Sequence, residues 1–190
     1  MREFLLNEKK YYVPQNWEEL TLKRYVNIAK LEEKKSEVIL QELYLLKVIE
    51  ALIDVEDGEL DDLTLDMVNE ITLDMVFLND DYDFTKHKKV LKIGDVDYVF
   101  PSDLNKLTMG EYISMKTFQE NIKSDAEAIP YILSIILRPG KLIKNEETGL
   151  EIWHQNRFDV ENLEYRKELF LTQPCIDVMG PVVFFLGGKQ

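Results

Sequence analysis

The chain has very few of the residues from which catalytic and metal centres are built. Its 190 residues include one cysteine and two histidines, which excludes an internal disulfide and leaves no Cys/His set at zinc-ligand spacing. His87 stands in a polar stretch and His154 beside Trp153, and both read as surface or partly packed side chains. No Gly-x-Gly-x-x-Gly, phosphate loop, Gly-x-Ser-x-Gly or His-Glu-x-x-His occurs. The longest wholly apolar run, Pro181 to Leu186, falls far short of the ~20 residues of a membrane helix, and Met1 to Asn7 holds no apolar run of signal-peptide length. Cys175 fits a reducing compartment and reads as a small buried hydrophobe. The expectation is a protein made and kept in a cytosol, or packaged from one.

Positive charge is also scarce. Against 36 Asp and Glu there are 23 Lys and Arg, a formal charge of -13, and no Lys/Arg cluster offsets it. Phosphate backbones and anionic lipid surfaces are therefore repelled, so neither direct nucleic-acid binding nor membrane binding is expected. Tyr11, Tyr12, Tyr98 and Phe100 could in principle stack on bases, but on short strands they read as core. The densest acidic stretch, Asp54 to Asp66, reads as a solvated loop and helix start. It is no EF-hand: with Gly58 at the sixth position, Ile53, Val55 and Thr64 fall where carboxylate ligands are required. No pair among the carboxylates stands out for acid/base work, so no catalytic, cofactor-binding or metal-binding residue is assigned, and the chain is not expected to be an enzyme.

What the chain does have is a resemblance to itself. Shifted by 87 residues, Tyr11, Pro14, Leu20, Thr21, Tyr25, Glu33, Tyr44, Leu46 and Ile49 fall on Tyr98, Pro101, Leu107, Thr108, Tyr112, Glu120, Tyr131, Leu133 and Ile136. Nine identities in 39 ungapped positions exceed the roughly two or three that composition alone would give. Phe4/Leu91, Leu22/Met109 and Val26/Ile113 are conservative pairs in the same register. With 45% hydrophobic residues there is ample material for a core.

Each copy opens with apolar stretches around a turn at Asn7-Glu8 or Gly94-Asp95, which predicts β-hairpins ended by Pro14 and Pro101. The pattern Leu-Thr-x-x-x-Tyr then starts a helix, capped by Thr21 in one copy and by a Thr108/Glu111 capping box in the other. Leu22, Tyr25, Val26 and Ala29, and likewise Met109, Tyr112 and Ile113, are expected to form buried stripes. A second helix is expected over Glu37 to Ile53, buried on several sides, with a counterpart over Tyr131 to Leu137 carrying Pro130 in its first turn. Leu63, Met67, Ile71, Met75 and Leu78 continue the first copy on a helical spacing. In the second, Lys141 to Phe158 reads as an inserted hairpin, followed by a helix over Val160 to Leu171 and a short buried helix over Val182 to Leu186. The predicted fold is α+β, mostly α, with two related units at 1–80 and 90–190, each a β-hairpin followed by about three helices, joined by a linker at 81–89, the second unit carrying the insertion at 141–158.

The segment Pro14-Gln15-Asn16-Trp17-Glu18-Glu19-Leu20-Thr21-Leu22-Lys23-Arg24-Tyr25, the run Tyr131 to Pro139 and the ending Phe184-Phe185-Leu186 resemble small acidic proteins encoded among the structural genes of tailed bacteriophages, including tail assembly chaperones. The resemblance implies a non-catalytic structural or assembly protein that contacts other phage structural proteins, sits in the virion or the host cytoplasm, and can form an oligomer. An acidic inhibitor or adaptor, imitating nucleic-acid phosphates toward a basic host protein, is the alternative.

Overall fold

The first hairpin is set by two residues that accept a left-handed backbone. In the computed structural model, which describes residues 1–37, 40–80, 82–84, 90–101, 107–122, 124–144, 146 and 149–187, Asn7 and Glu8 have φ of 50° and 66°. Two positive φ values in a two-residue loop match the right-handed twist of paired strands. Strand β1 (Arg2–Leu6) thus pairs with β2 (Lys9–Val13), with Phe4 opposite Tyr11 and their rings stacked at 5.2 Å. The second hairpin repeats this: Gly94 turns at φ 58°, and β3 (Val90–Ile93) pairs with β4 (Val96–Val99), placing Leu91 opposite Tyr98. Phe4 and Leu91, matched by the 87-residue shift, occupy the same register position.

The threonine starts are formed as expected. Thr21 Oγ1 accepts from Arg24 N at the head of α1 (Leu22–Glu33), and Thr108 with Glu111 completes a capping box at the head of α4 (Met109–Asn121). Helix α2 (Gln41–Ile53) is shorter than the expected span, and a 3-10 turn at Lys35–Glu37 precedes it. Only its C-terminal half, from Val48, is buried; Leu43 is exposed. Helix α3 (Leu65–Asp74), capped by Thr64, continues as a 3-10 turn over Met75–Asn79 that buries Met75 and Phe77.

In the second unit, α5 (Asp125–Ile136) is the buried centre. The expected start at Tyr131 is corrected: Ser124 caps this helix, accepting from Glu127 N at 3.2 Å, and places Pro130 in the second turn. A proline there gives up one backbone hydrogen bond. The inserted hairpin is present as β5 (Arg138–Lys144) and β6 (Glu151–Gln155), but β5 also pairs with β4, so the unit holds a four-stranded antiparallel sheet, β3-β4-β5-β6. Met115, Ile132, Ile135, Ile136 and Leu163 form one buried cluster of its core. Helix α6 (Leu163–Leu171) follows, with Asp159 Oδ1 bonding Glu161 N ahead of it. Helix α7 (Cys175–Gly187) starts seven residues before the expected apolar run and passes through Gly180-Pro181. The expected burial of Val183 to Leu186 concerns side chains outside the described set, whereas Val182 is buried.

The architecture is α+β and mostly helical. Two compact units divide it: Met1–Asp83 with Thr172–Ile176, and Phe84–Leu171 with Asp177–Gln190. The sequence division at 81–89 does not contain the return of Thr172–Ile176 to the first unit. Most of that linker, with His87, lies outside the described residues.

Gly140 shows how tightly the sheet joins its inserted hairpin. A Cβ there would lie 2.5 Å from both the His154 carbonyl oxygen and Val99 Cγ2. The carbonyl belongs to the β5–β6 ladder and cannot retreat without opening it. Gly140→Ala is expected to cost about 1–3 kcal/mol, as overpacking does, seen as a lower urea midpoint with an unchanged slope.

Candidate interaction surfaces

Among the described residues no group of three or more His, Cys, Asp or Glu is placed to hold a metal ion. His154 is exposed on β6, and Cys175 is fully buried with Sγ 3.7 Å from the Trp17 carbonyl oxygen. Among the described residues no helix is long and apolar enough to cross a membrane.

The most ordered polar arrangement is inside the second unit. Glu111 Oε2 accepts from Thr108 N and Thr108 Oγ1, both at 2.6 Å, while Oε1 meets Arg138 Nη2 at 2.7 Å. Arg138, at the junction of α5 and β5, also donates to the Asn156 carbonyl (3.0 Å) and to Gln155 Oε1 (2.9 Å). Gln155 Nε2 in turn donates to the carbonyls of Val99 and Ile136. Beside them Arg166 Nε donates to the Ser134 carbonyl at 2.7 Å and Nη2 to the Asp159 carbonyl at 2.9 Å. Burial lowers the basicity of both guanidiniums, countered by Glu111 for Arg138 and by Asp159 for Arg166. These side chains bond to backbone and to one another, so the arrangement is structural. Sequence reading found Glu111 as a cap but not its buried partner, because a capping box signals only its own helix end.

The acidic stretch after α2 is held to its own unit. Glu50 is buried and accepts from Gly58 N at 2.7 Å and from Lys47 Nζ at 3.1 Å. Lys47 also pairs with Asp57, Lys23 with Asp54 at 2.7 Å, and Asn7 Nδ2 donates to Asp62 at 2.8 Å. Glu59 takes Lys9 and, at 3.0 Å, the Tyr11 hydroxyl. The open depression of ≈ 660 Å³ lined by Lys9, Lys23, Asp54, Val55, Glu56 and Glu59 therefore has both its lysines ion-paired.

Two groups of exposed apolar side chains stand out among the described residues. One is the inserted hairpin, where Leu142, Ile143, Leu150 and Ile152 are exposed. Leu142 is opposite Trp153, and Ile143 is opposite Ile152. Successive strand residues point to opposite faces, so both faces of the arm carry an apolar pair.

The other is on α4 and corrects the expected buried stripe. Met109, Tyr112 and Ile113 are 71%, 50% and 56% exposed, whereas Leu22 and Val26, their counterparts on α1, are 0% and 6% exposed. Glu111 and Met115 are the residues α4 turns inward. The capping carboxylate that binds Arg138 fixes that rotation, and the matched stripe is left outward.

Comparison with protein-family models, with curated proteins and with solved structures finds no match.

The Lys9–Glu59–Tyr11 clasp generates a pH prediction. The hydrogen bond from Lys9, aided by that from Tyr11, holds the Glu59 carboxyl below the ordinary carboxylate range, and Glu59 raises Lys9. A carboxyl lowered on folding stabilises above its unfolded value of about 4.3, and that contribution is lost as pH falls through the folded value. The raised lysine contributes below about 10.4 and is lost as pH rises through its folded value. The clasp's contribution to the urea midpoint is therefore expected to be constant between these limits and to be lost on the acid side, so Glu59→Gln should make the acid decline shallower.

Proposed function

We propose that the chain is a non-catalytic structural or assembly subunit of a tailed bacteriophage that works through protein–protein contacts. The observation that carries this reading is the inserted hairpin, with exposed Leu142 beside half-buried Trp153 on one face and the exposed pair Ile143 and Ile152 on the other. An isolated two-stranded arm gains little from such residues in water, whereas a partner surface that covers them removes apolar area from solvent at about 25 cal/mol per Å². The bacteriophage setting rests on the sequence resemblance of Pro14 to Tyr25 and Tyr131 to Pro139. The acidic-mimic reading is less well supported, since the carboxylates of Asp54, Asp57, Glu59 and Asp62 are engaged by the first unit's own side chains.

Mass spectrometry of purified particles and of tail and capsid intermediates tests the proposal. The chain is expected in one of these fractions, and its absence from all of them contradicts the reading. Leu142→Glu with Ile152→Lys should reduce its incorporation while leaving the urea midpoint nearly unchanged, because both positions are exposed.

A further inference from the structure

The duplicated helix start is occupied in one unit and open in the other. In the first unit the corner Leu20-Thr21-Leu22 is paired with the segment after α6: Leu22 N donates to the Gln173 carbonyl and Cys175 N to the Leu20 carbonyl, both at 2.8 Å. Thr21 and Pro174 face each other as an antiparallel bridge. Cys175 is fully buried there, and Leu20, Leu22 and Val26 are buried at the same corner. The occupant is thus the turn Thr172-Gln173-Pro174 between α6 and α7 with the first residues of α7, Cys175-Ile176, uncharged throughout and with proline at its centre.

The second unit has the same corner. Leu107-Thr108-Met109 repeats Leu20-Thr21-Leu22, and Tyr112 and Ile113 repeat Tyr25 and Val26. The cap geometry matches as well, with extended backbone at both threonines: φ -73° and ψ 156° at Thr21, φ -70° and ψ 160° at Thr108. Among the described residues no segment pairs with the Leu107 carbonyl or the Met109 N–H as Cys175 and Gln173 do with their counterparts. The side chains that would pack on such a segment, Met109, Tyr112 and Ile113, are the ones left exposed.

We propose that this corner of α4 is a docking site for an uncharged, proline-centred turn of a partner protein, which bridges antiparallel to Leu107–Met109 and covers Met109, Tyr112 and Ile113. The Met109 N–H and the Leu107 carbonyl supply the two backbone bonds, as the Leu22 N–H and the Leu20 carbonyl do in the first unit, and the three side chains supply the apolar contact. Proline suits the centre of such a segment because its missing N–H falls where no donor is used in the occupied copy, and its fixed φ lowers the entropy lost on docking. A second copy of the chain is the poorer occupant, since its own Thr172–Ile176 segment already fills its own first-unit corner. The inference deepens the assembly reading by giving the chemistry of one partner, yet it stands apart in test: a chain that binds nothing at α4 can still enter particles through its hairpin arm.

The probe is a blocked synthetic peptide spanning Thr172 to Ile176, titrated under reducing conditions into the full-length protein labelled at amides and at methionine and isoleucine methyls. Saturable shifts are expected at Met109, Tyr112, Ile113 and the Leu107–Met109 amides. Ile113→Glu should weaken binding by about tenfold or more, since it buries a charge against the peptide, while preserving the amide spectrum away from α4. The proposal is overturned by no saturable binding at millimolar peptide, by shifts confined to Leu20 to Val26, or by undiminished binding to Ile113→Glu. Concentration-dependent self-association that Ile113→Glu abolishes also overturns it, by giving the face to a second copy.

Discussion

The second unit depends on one buried carboxylate. Glu111 ends the capping box of α4 and is the counter-ion of Arg138, and both side chains are nearly withdrawn from water, at 3% and 11% exposure. A single charge in such a place is costly, and even a paired one recovers its desolvation only when the geometry is good and the remaining donors are satisfied. Here they are largely satisfied by the Asn156 carbonyl and Gln155. Because Arg138 is the first residue of β5, the pair locks the start of one helix to the point where the central helix gives way to the sheet. That lock sets the rotation of α4, and the rotation decides which of its residues meet solvent.

The first unit makes the same connection with the opposite charge. Arg24 occupies the position matched to Glu111, and its Nη2 donates to the carbonyl of Ile53, the last residue of α2, at 3.1 Å. A cation suits a helix C-terminus, where unsatisfied carbonyls carry partial negative charge. Each unit thus fastens the third residue of its first helix to the end of its second, by a guanidinium on carbonyl oxygen in one and by a carboxylate on a guanidinium in the other. The shared framework tolerates a sign change because the partner at the far end changes with it.

Much of this framework was legible in the chain. Both turns, both proline ends, the threonine caps and the inserted hairpin have local causes, and local causes leave sequence marks: Asn7-Glu8, Gly94-Asp95, Thr108 with Glu111. The α4 stripe was misread because helical periodicity reports that Met109, Tyr112 and Ile113 share a face, not whether anything covers it. On α1 the head of the helix is bonded by Gln173 and Cys175, some 150 residues downstream, and no local pattern announces such a return. Pro130 was misplaced for a related reason: Ser124 starts α5 early, and the buried surroundings of Ile129 to Ile136 offset the lost backbone bond. The extension of β3-β4 into four strands needed Gly140, whose role is the absence of a side chain at a close approach.

The two proposed contact surfaces lie where the units part. The matched residues build hairpins, caps and cores, whereas the exposed apolar arm has no counterpart in the first unit and the α4 corner is open where its first-unit counterpart is occupied. A double-mutant cycle on Glu111 and Arg138 tests most directly the claim that one buried pair sets this arrangement. Urea unfolding of the wild type, Glu111→Gln, Arg138→Met and the double variant is expected to show each single change costing about 3–5 kcal/mol, with the double variant more stable than the sum predicts by about 1–3 kcal/mol. Single costs that add to within about 0.5 kcal/mol would contradict the account.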